Sequence, residues 1–458
     1  MEWTPTLNDR RGPVYQRIVE ALTADVASGR LRRGQQLPTH RALAKALGID
    51  LTTVTRAYTE ARHLGLTEAR VGQGTFVAES MAQVRHLSNP REEFDLSMNL
   101  PPQPLEADLE GRITRGIASI QRETGFSTHL NYREPGGSAA ERDAAAAWLR
   151  SRGTDAHGDR LVICPGTQNA LFNLLIELTK PGDVVLTETL TYPGIKAASV
   201  YTGVRLVGVP MDEEGVLPDA LEAACREHAP KAVYLIPTIH NPTTATMSKA
   251  RRETVAEILR GSGVLLIEDD AYGPLEPGVV PLASLVPERT YFTASLSKCI
   301  APGLRISFVL TPDNEAAGRL AAALRATVQM PAFLMVAVVA RWLADGSADA
   351  IIDAIRSEAA DRQKLAGEVL AEQTAFRHPN GHHIWIPLPR GWSGTDFASH
   401  VQRQGLAIVS AESFSVGENP PHAIRVSLGA ASSRAELVQG LQILAAALRS
   451  PAITRVVV

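Results

Sequence analysis

The sequence predicts an α/β protein in two parts. A body built on a mostly parallel sheet sandwiched by helices follows a small helix-turn-helix module closed by a β-hairpin. Three observations carry that expectation. Seven short apolar runs between Leu161 and Leu310 alternate with helical or turn stretches. The first eighty residues instead hold three helix-length segments, then two short strand-like runs set around Gly72-Gln73-Gly74. Charge divides the same way: from Arg11 to Ala78 ten Lys or Arg face five Asp or Glu, a net of +5, whereas the whole 458-residue chain is −3 and the remainder therefore −8.

Taken in order, Pro13 to Ser28 carries Val14, Ile18, Val19, Leu22 and Val26 at the spacing of an amphipathic helix, and Gly29 stops it. After Leu37-Pro38-Thr39, a short helix from His40 to Leu47 leads through Gly48-Ile49-Asp50 into a second, Leu51 to Leu64, whose start Asp50 or Thr52 can cap. That is helix-turn-helix spacing. Leu66 to Val71 and Thr75 to Ala78 read as the strands of a tight hairpin, a wing. The basic excess favours a phosphate-backbone partner here. A helical bundle that merely packs on the body would leave the excess and the wing glycines as coincidences.

This stretch resembles the winged helix-turn-helix domain of GntR-type regulators, through Pro13-Val14-Tyr15-Gln16, Gly34-Gln35-Gln36-Leu37-Pro38-Thr39-His40-Arg41 and Gly72-Gln73-Gly74-Thr75-Phe76-Val77. The resemblance implies a double-stranded DNA operator as partner. It makes Arg41, Thr52, Thr53 and Arg56 contacts at or beside the recognition helix, with Arg70 and Gly74 placing the wing. Phosphate contacts would position the module and base contacts would specify. Leu51 stands where several relatives carry an arginine, so one contact is expected to be missing.

The expected boundaries are 11–78 for the DNA-binding domain, 79–94 for a linker of little apolar periodicity, and 95–458 for the body. In the body, strands are expected at Leu161 to Cys164, Val184 to Thr187, Val204 to Val207, Ala232 to Ile236, Val264 to Ile267, Tyr291 to Ala294 and Ile306 to Leu310. These form a large part, about 120–330. Long helices around Pro312 to Ala344 and Ala348 to Gln373 follow. A small α+β part, about 345–458, adds strands near His383 to Pro387, Ala407 to Val409 and Ala423 to Leu428 and a last helix, Arg434 to Arg449.

The strand ends carry the chemistry. In Ser295-Leu296-Ser297-Lys298, with Pro302-Gly303 and Arg305 beyond, a lysine sits between hydroxyls and an arginine. Lysine amines form Schiff bases with carbonyl cofactors, and hydroxyls with an arginine fork hold a phosphate. Val264 to Ile267 runs into Glu268-Asp269-Asp270-Ala271-Tyr272, where a buried carboxylate suits a pyridinium nitrogen. Ala232 to Ile236 runs towards His240-Asn241-Pro242-Thr243, so the Asn241 amide and the Tyr272 phenol could both bond a ring hydroxyl oxygen. Cys164-Pro165-Gly166-Thr167-Gln168 ends a strand and opens a helix, whose free amides suit phosphate.

With these motifs the body resembles the fold-type I, class I aminotransferase group of pyridoxal-phosphate proteins, from about Asp95 to near the C-terminus. The resemblance makes Lys298 the lysine that bonds the cofactor, Asp269 the partner of its ring nitrogen, and Asn241 and Tyr272 the ligands of its ring oxygen. Ser295, Ser297, Arg305, Thr167 and Gln168 become phosphate ligands, Tyr192 the stacking aromatic, and Tyr132 a tyrosine reaching the neighbouring subunit's phosphate. Arg425 matches the arginine that forks a substrate carboxylate, with an outward-facing strand arginine as the alternative. Two departures touch the pocket: His240, where many relatives carry glutamine or an apolar residue, and Thr244, where glycine is usual.

A GntR-like winged helix ahead of such a body resembles the MocR group of transcription regulators. The resemblance implies a regulator that binds pyridoxal 5'-phosphate and senses it or an amino compound at Lys298, as a head-to-tail homodimer. The alternative is a working aminotransferase carrying a DNA-binding domain, since every site residue is present.

Composition agrees with a soluble, cytoplasmic protein. At 45% hydrophobic the chain can bury a large core. Cys164, Cys225 and Cys299 are few and lack metal spacing, which argues against a zinc site and for a reducing compartment. The longest apolar run, Met330 to Ala340, is shorter than the roughly 20 residues that span a bilayer. No signal core is expected at the polar N-terminus.

Overall fold

The computed structural model describes residues 3–5, 14–27, 30–31, 34–63, 67–70, 74–77 and 94–450. The expected helix stop at Gly29, the wing turn at Gly72-Gln73 and the linker up to residue 93 lie outside the described residues, as does the Arg70 side chain. The chain forms two compact units, Met1–Pro90 and Arg91–Val458.

Among its described residues the first unit has three helices, α1 (Val14–Ala27), α2 (His40–Leu47) and α3 (Leu51–His63), and a hairpin of β1 (Thr67–Arg70) and β2 (Gly74–Val77). Thr39 caps α2, its hydroxyl accepting the Ala42 amide at 3.2 Å, and Gly48 ends it at φ +64. The Asp50 carbonyl starts α3 by accepting the Thr53 amide at 3.1 Å. Ile18, Leu22, Leu43, Val54 and Ala57 close a core that is under 2% exposed at each position. The strands pair antiparallel from Thr67↔Val77 to Arg70↔Gly74, so Gly74 belongs to the second strand rather than to the turn. Its φ of +110 favours glycine there, and an added Cβ would stand 3.1 Å from the Gln36 side-chain nitrogen. Gln36 bridges Phe76, and the Leu37 amide donates to Thr75. This third rung of the wing has no periodic signal of its own.

The body centres on a seven-stranded sheet of β3 (Leu161–Cys164), β4 (Val184–Glu188), β5 (Arg205–Val209), β6 (Ala232–Leu235), β7 (Leu265–Asp269), β8 (Thr290–Ser295) and β9 (Ser307–Leu310). Their spatial order is β3-β9-β8-β7-β6-β4-β5. All pair in parallel except β9, which runs antiparallel to both neighbours. Burial on both faces explains why these strands read as unbroken apolar runs: Leu161 and Ile163 enter one core cluster, Val162 and Cys164 another.

Two expectations need correction here. The helical stretch expected from Pro312 to Ala344 is two helices, α4 (Asn314–Val328) and α5 (Phe333–Ala344). Gln329, at φ +67, and Pro331 break it. The strand expected over Ala407 to Val409 is two: Leu406–Ala407 pairs in parallel with Phe94–Asp95, while Val409–Ser410 joins a four-stranded sheet with Phe376–Arg377, His383–Pro387 and Ala423–Ser427. Among the described residues no helix is long and apolar enough to cross a membrane, and no metal-ligand cluster occurs.

Candidate functional site

The rim of the sheet collects the expected residues because of strand direction. The C-terminal ends of β3, β4, β6, β7 and β8 face one crevice. Because β9 is antiparallel, its N-terminal end meets the same rim: Ser307 pairs with Cys164 and with Ser295. Arg305, two residues before β9, therefore arrives beside the turn after β3. Thr167, Gln168, Tyr192, Asn241, Asp269, Tyr272, Ser295, Ser297, Lys298 and Arg305 all line one cavity, together with Ile236, Ala271 and Pro302.

The anion end of that cavity is built on the helix Thr167–Leu178. Gly166 precedes it at φ +87 and no side chain caps it, so its first amides are unclaimed by a cap. A Cβ on Gly166 would lie 2.6 Å from Arg305 Nη2 and 2.8 Å from its Cζ. The guanidinium thus occupies the space that glycine leaves, donating to the Pro165 carbonyl at 3.2 Å. Ser295 Oγ accepts the Ser297 amide at 3.1 Å, which sets the turn before Lys298.

Asp269, which lines the same cavity, is 4% exposed. Its Oδ2 accepts the Tyr234 hydroxyl at 2.7 Å, while Oδ1 is buried without a hydrogen-bond partner. Burial pushes its carboxyl up to about 6, against the Tyr234 hydrogen bond and the Lys298 charge, which pull it down. An orphaned buried acceptor on a rigid strand end fits a protonated ring nitrogen. Neighbouring Glu188 is also fully buried and is held neutral, its carboxyl pushed up to about 8 by desolvation.

Lys298 lines the same cavity. Burial, with the Arg425 charge, lowers its amine to about 8, so a reactive neutral fraction exists near neutrality. Its Nζ donates to the Asn99 carbonyl at 2.6 Å. Asn99 Nδ2 donates to the Tyr272 oxygen at 2.6 Å, which leaves the phenol proton free to donate elsewhere. Arg425, 6% exposed, donates to Asn241 Oδ1 at 3.1 Å and to the Ser97 carbonyl, and its Nε has no partner. It points inward from its strand, so the outward-facing alternative is corrected. His240 is packed rather than solvated: 1% exposed, with burial lowering it to about 3. Thr244 adopts φ +66, the conformation usually given to glycine. Cys299 is a packed thiol, pushed up to about 12 by burial.

Tyr132 does not join this cavity; it is 83% exposed. In the first unit Arg41, Thr52 and Arg56 are exposed and Thr53 is half-buried, all on or beside α3. The Arg56 guanidinium sits 4.1 Å from the Tyr15 ring centroid.

Residues 93–444 match the family described as aminotransferase class I and II, and residues 14–77 match bacterial regulatory proteins of the gntR family. Over 451 residues the chain is 32% identical to an uncharacterized HTH-type transcriptional regulator, YdeF, of Bacillus subtilis, spanning 97% of this chain and 96% of that protein. The chain belongs to the MocR-type regulators. This MocR-type chain is also 28% identical to PtsJ, a vitamin B6 salvage pathway transcriptional repressor of Salmonella typhimurium, over 91% of this chain and 94% of that one. Its body is similar to the structure of LysN, an α-aminoadipate aminotransferase from Thermus thermophilus complexed with N-(5'-phosphopyridoxyl)-L-leucine. The TM-score is 0.70 at 26% identity, over 78% of this chain and 92% of that one.

Sequence reading missed Asn99, Ser97, Tyr234 and His383 in the MocR-type site. Tyr234 left one usable signal, a hydroxyl inside an apolar strand that has to find a partner. The others left none.

Proposed function

We propose that this regulator binds pyridoxal 5'-phosphate at Lys298 and converts the arrival of an amino compound there into a change in operator binding. The observation that carries the reading is the unpartnered Asp269 Oδ1, buried in the cavity that also holds a lysine whose amine is lowered to about 8. In this reading Asp269 holds the ring nitrogen, Tyr272 and Asn241 the ring oxygen, and Tyr192 the ring face. Ser295, Ser297, Arg305 and the amides of Thr167 and Gln168 hold the phosphate. When bound, the cofactor supplies an electrophilic carbonyl and an electron sink. Arg425 receives the carboxylate of an amino acid, its free Nε completing a fork.

A head-to-tail homodimer accounts for Tyr132, which would reach the other subunit's phosphate. The exposure of Met98, Leu105 and Leu130 at 58%, 93% and 76% supports a covered face in that region. Arg41, Thr52, Thr53, Arg56, Arg70 and Gly74 would meet DNA, and the protein would act in the cytoplasm.

Replacement of the lysine tests the reading. Lys298→Ala is expected to lose both the cofactor absorbance and any response of DNA binding to amino compounds. A Lys298→Ala protein that still responds normally would contradict it. A complete site also supports a second reading, a working aminotransferase. Conversion of bound aldehyde to the amine form by an amino acid, with no change in DNA binding, would favour that one.

A further inference from the structure

The stretch Phe94–Leu100 meets the site mainly through its backbone. The Ser97 carbonyl accepts from Arg425, and the Asn99 carbonyl accepts from Lys298 Nζ at 2.6 Å. The turn that aims these carbonyls is made by Asp95, whose Oδ1 accepts both the Ser97 amide at 2.9 Å and the Ser97 hydroxyl at 2.6 Å. The Asn99 side chain ties the far end to Tyr272 and, at 3.2 Å, to His383 Nδ1. At the near end Phe94–Asp95 pairs with Leu406–Ala407, and the Leu96 carbonyl accepts the Ser427 amide at 2.8 Å. Phe94 opens the described body on the side of the chain that leads from the DNA-binding unit.

We propose that Ser97–Asn99 is the sensing element of this regulator: the carboxylate of a bound amino compound takes Arg425 away from the Ser97 carbonyl and so releases the segment. The inference rests on the reading above and gives it a moving part. A carboxylate outcompetes a neutral carbonyl for a guanidinium, because charge-assisted bonds are roughly twice as strong and a fork can take two oxygens. Arg425 has one unpartnered nitrogen ready for that exchange. The Ser97 carbonyl is then left without its cation, a cost that favours rearrangement of the segment. An effector without a carboxylate leaves the Arg425 bond in place. The device therefore selects amino acids over plain amines, and it couples that choice to the part of the body joined covalently to the DNA-binding unit.

Backbone amide exchange on the full-length protein, freed of cofactor, tests this. The probes are N-(5'-phosphopyridoxyl)-L-alanine, which carries the carboxylate, and pyridoxamine 5'-phosphate, which lacks it. Exchange at Leu96 and Ser97 is expected to rise about tenfold or more with the first probe and clearly less with the second. Binding of the first probe, seen by its absorbance, with unchanged exchange in 94–100 overturns the proposal and leaves the reading of the site intact. Failure of either probe to bind overturns the reading and the proposal together. An Asp95→Ala variant provides a second measurement, since loss of the turn should give fast exchange without ligand and shrink the ligand-induced change in DNA affinity. An Asp95→Ala protein responding as fully as the natural one counts against the proposal.

Discussion

Gly166 and Arg305 form the tightest dependence at the residue scale, because the guanidinium occupies the volume of the missing Cβ. Gly166→Ala is expected to weaken cofactor binding tenfold or more, by displacing Arg305. It should also cost about 1–3 kcal/mol of stability through the backbone alone, which stands at φ +87 and ψ 159. Absorbance titration and urea unfolding measure the two effects separately. Lys298 makes a second prediction. Condensation needs the neutral amine, so the rate of cofactor uptake should rise with pH and level off above about 8, well below the range of an ordinary lysine. An inflection near the usual lysine value of 10.5 would contradict the burial argument. Lys298, Asp269, Tyr272 and Arg305 were legible because their chemistry is unusual at the end of an apolar strand. Asn99 was not legible: its partners Lys298 and Tyr272 lie 199 and 173 residues away, and nothing in Met98-Asn99-Leu100 announces either.

Elements with long two-sided apolar runs were the most legible, since a strand buried on both faces needs no partner to declare itself. Short strands were not. Leu406–Ala407 and Val409–Ser410 differ only in which neighbour they meet, and that is decided by tertiary packing. The helices Leu109–Glu123 and Ala139–Arg150 were not anticipated either; the second is fixed by a capping box between Ser138 and Glu141. Helix α3 makes its own prediction, on the proposal that it meets DNA. Arg56→Ala should weaken binding to all DNA sequences alike and reduce the salt slope by about 1, whereas Thr52→Ala should lower discrimination between sequences. Leu51 is 42% exposed on the same helix, so Leu51→Arg should strengthen binding and steepen the salt slope by about 0.9. Fluorescence anisotropy over a salt series measures all three.

For the whole molecule, buried titratable groups set the pH range of stability. His240 and His382 are held neutral by burial, lowered from 6.5 to about 3 and about 4. The unfolded chain takes up those protons first, so their contribution is present above 6.5 and is lost as pH falls towards 3. Glu188 and Glu268 are raised from 4.5 to about 8 and about 7, and their contribution is present below 4.5 and lost as pH rises towards 8. The cofactor-free protein should therefore be most stable at mildly acidic pH, between about 5 and 6.5. A urea midpoint that keeps rising through pH 8 would contradict that. The central claim is that one site both holds an amino compound and governs DNA binding. It is tested most directly by titrating amino acids and amines into the cofactor-loaded protein bound to DNA from its own upstream region, following absorbance and anisotropy together. The account predicts that a compound shifting the cofactor band changes DNA affinity over the same concentration range. A band shift that saturates while DNA affinity stays constant would contradict it.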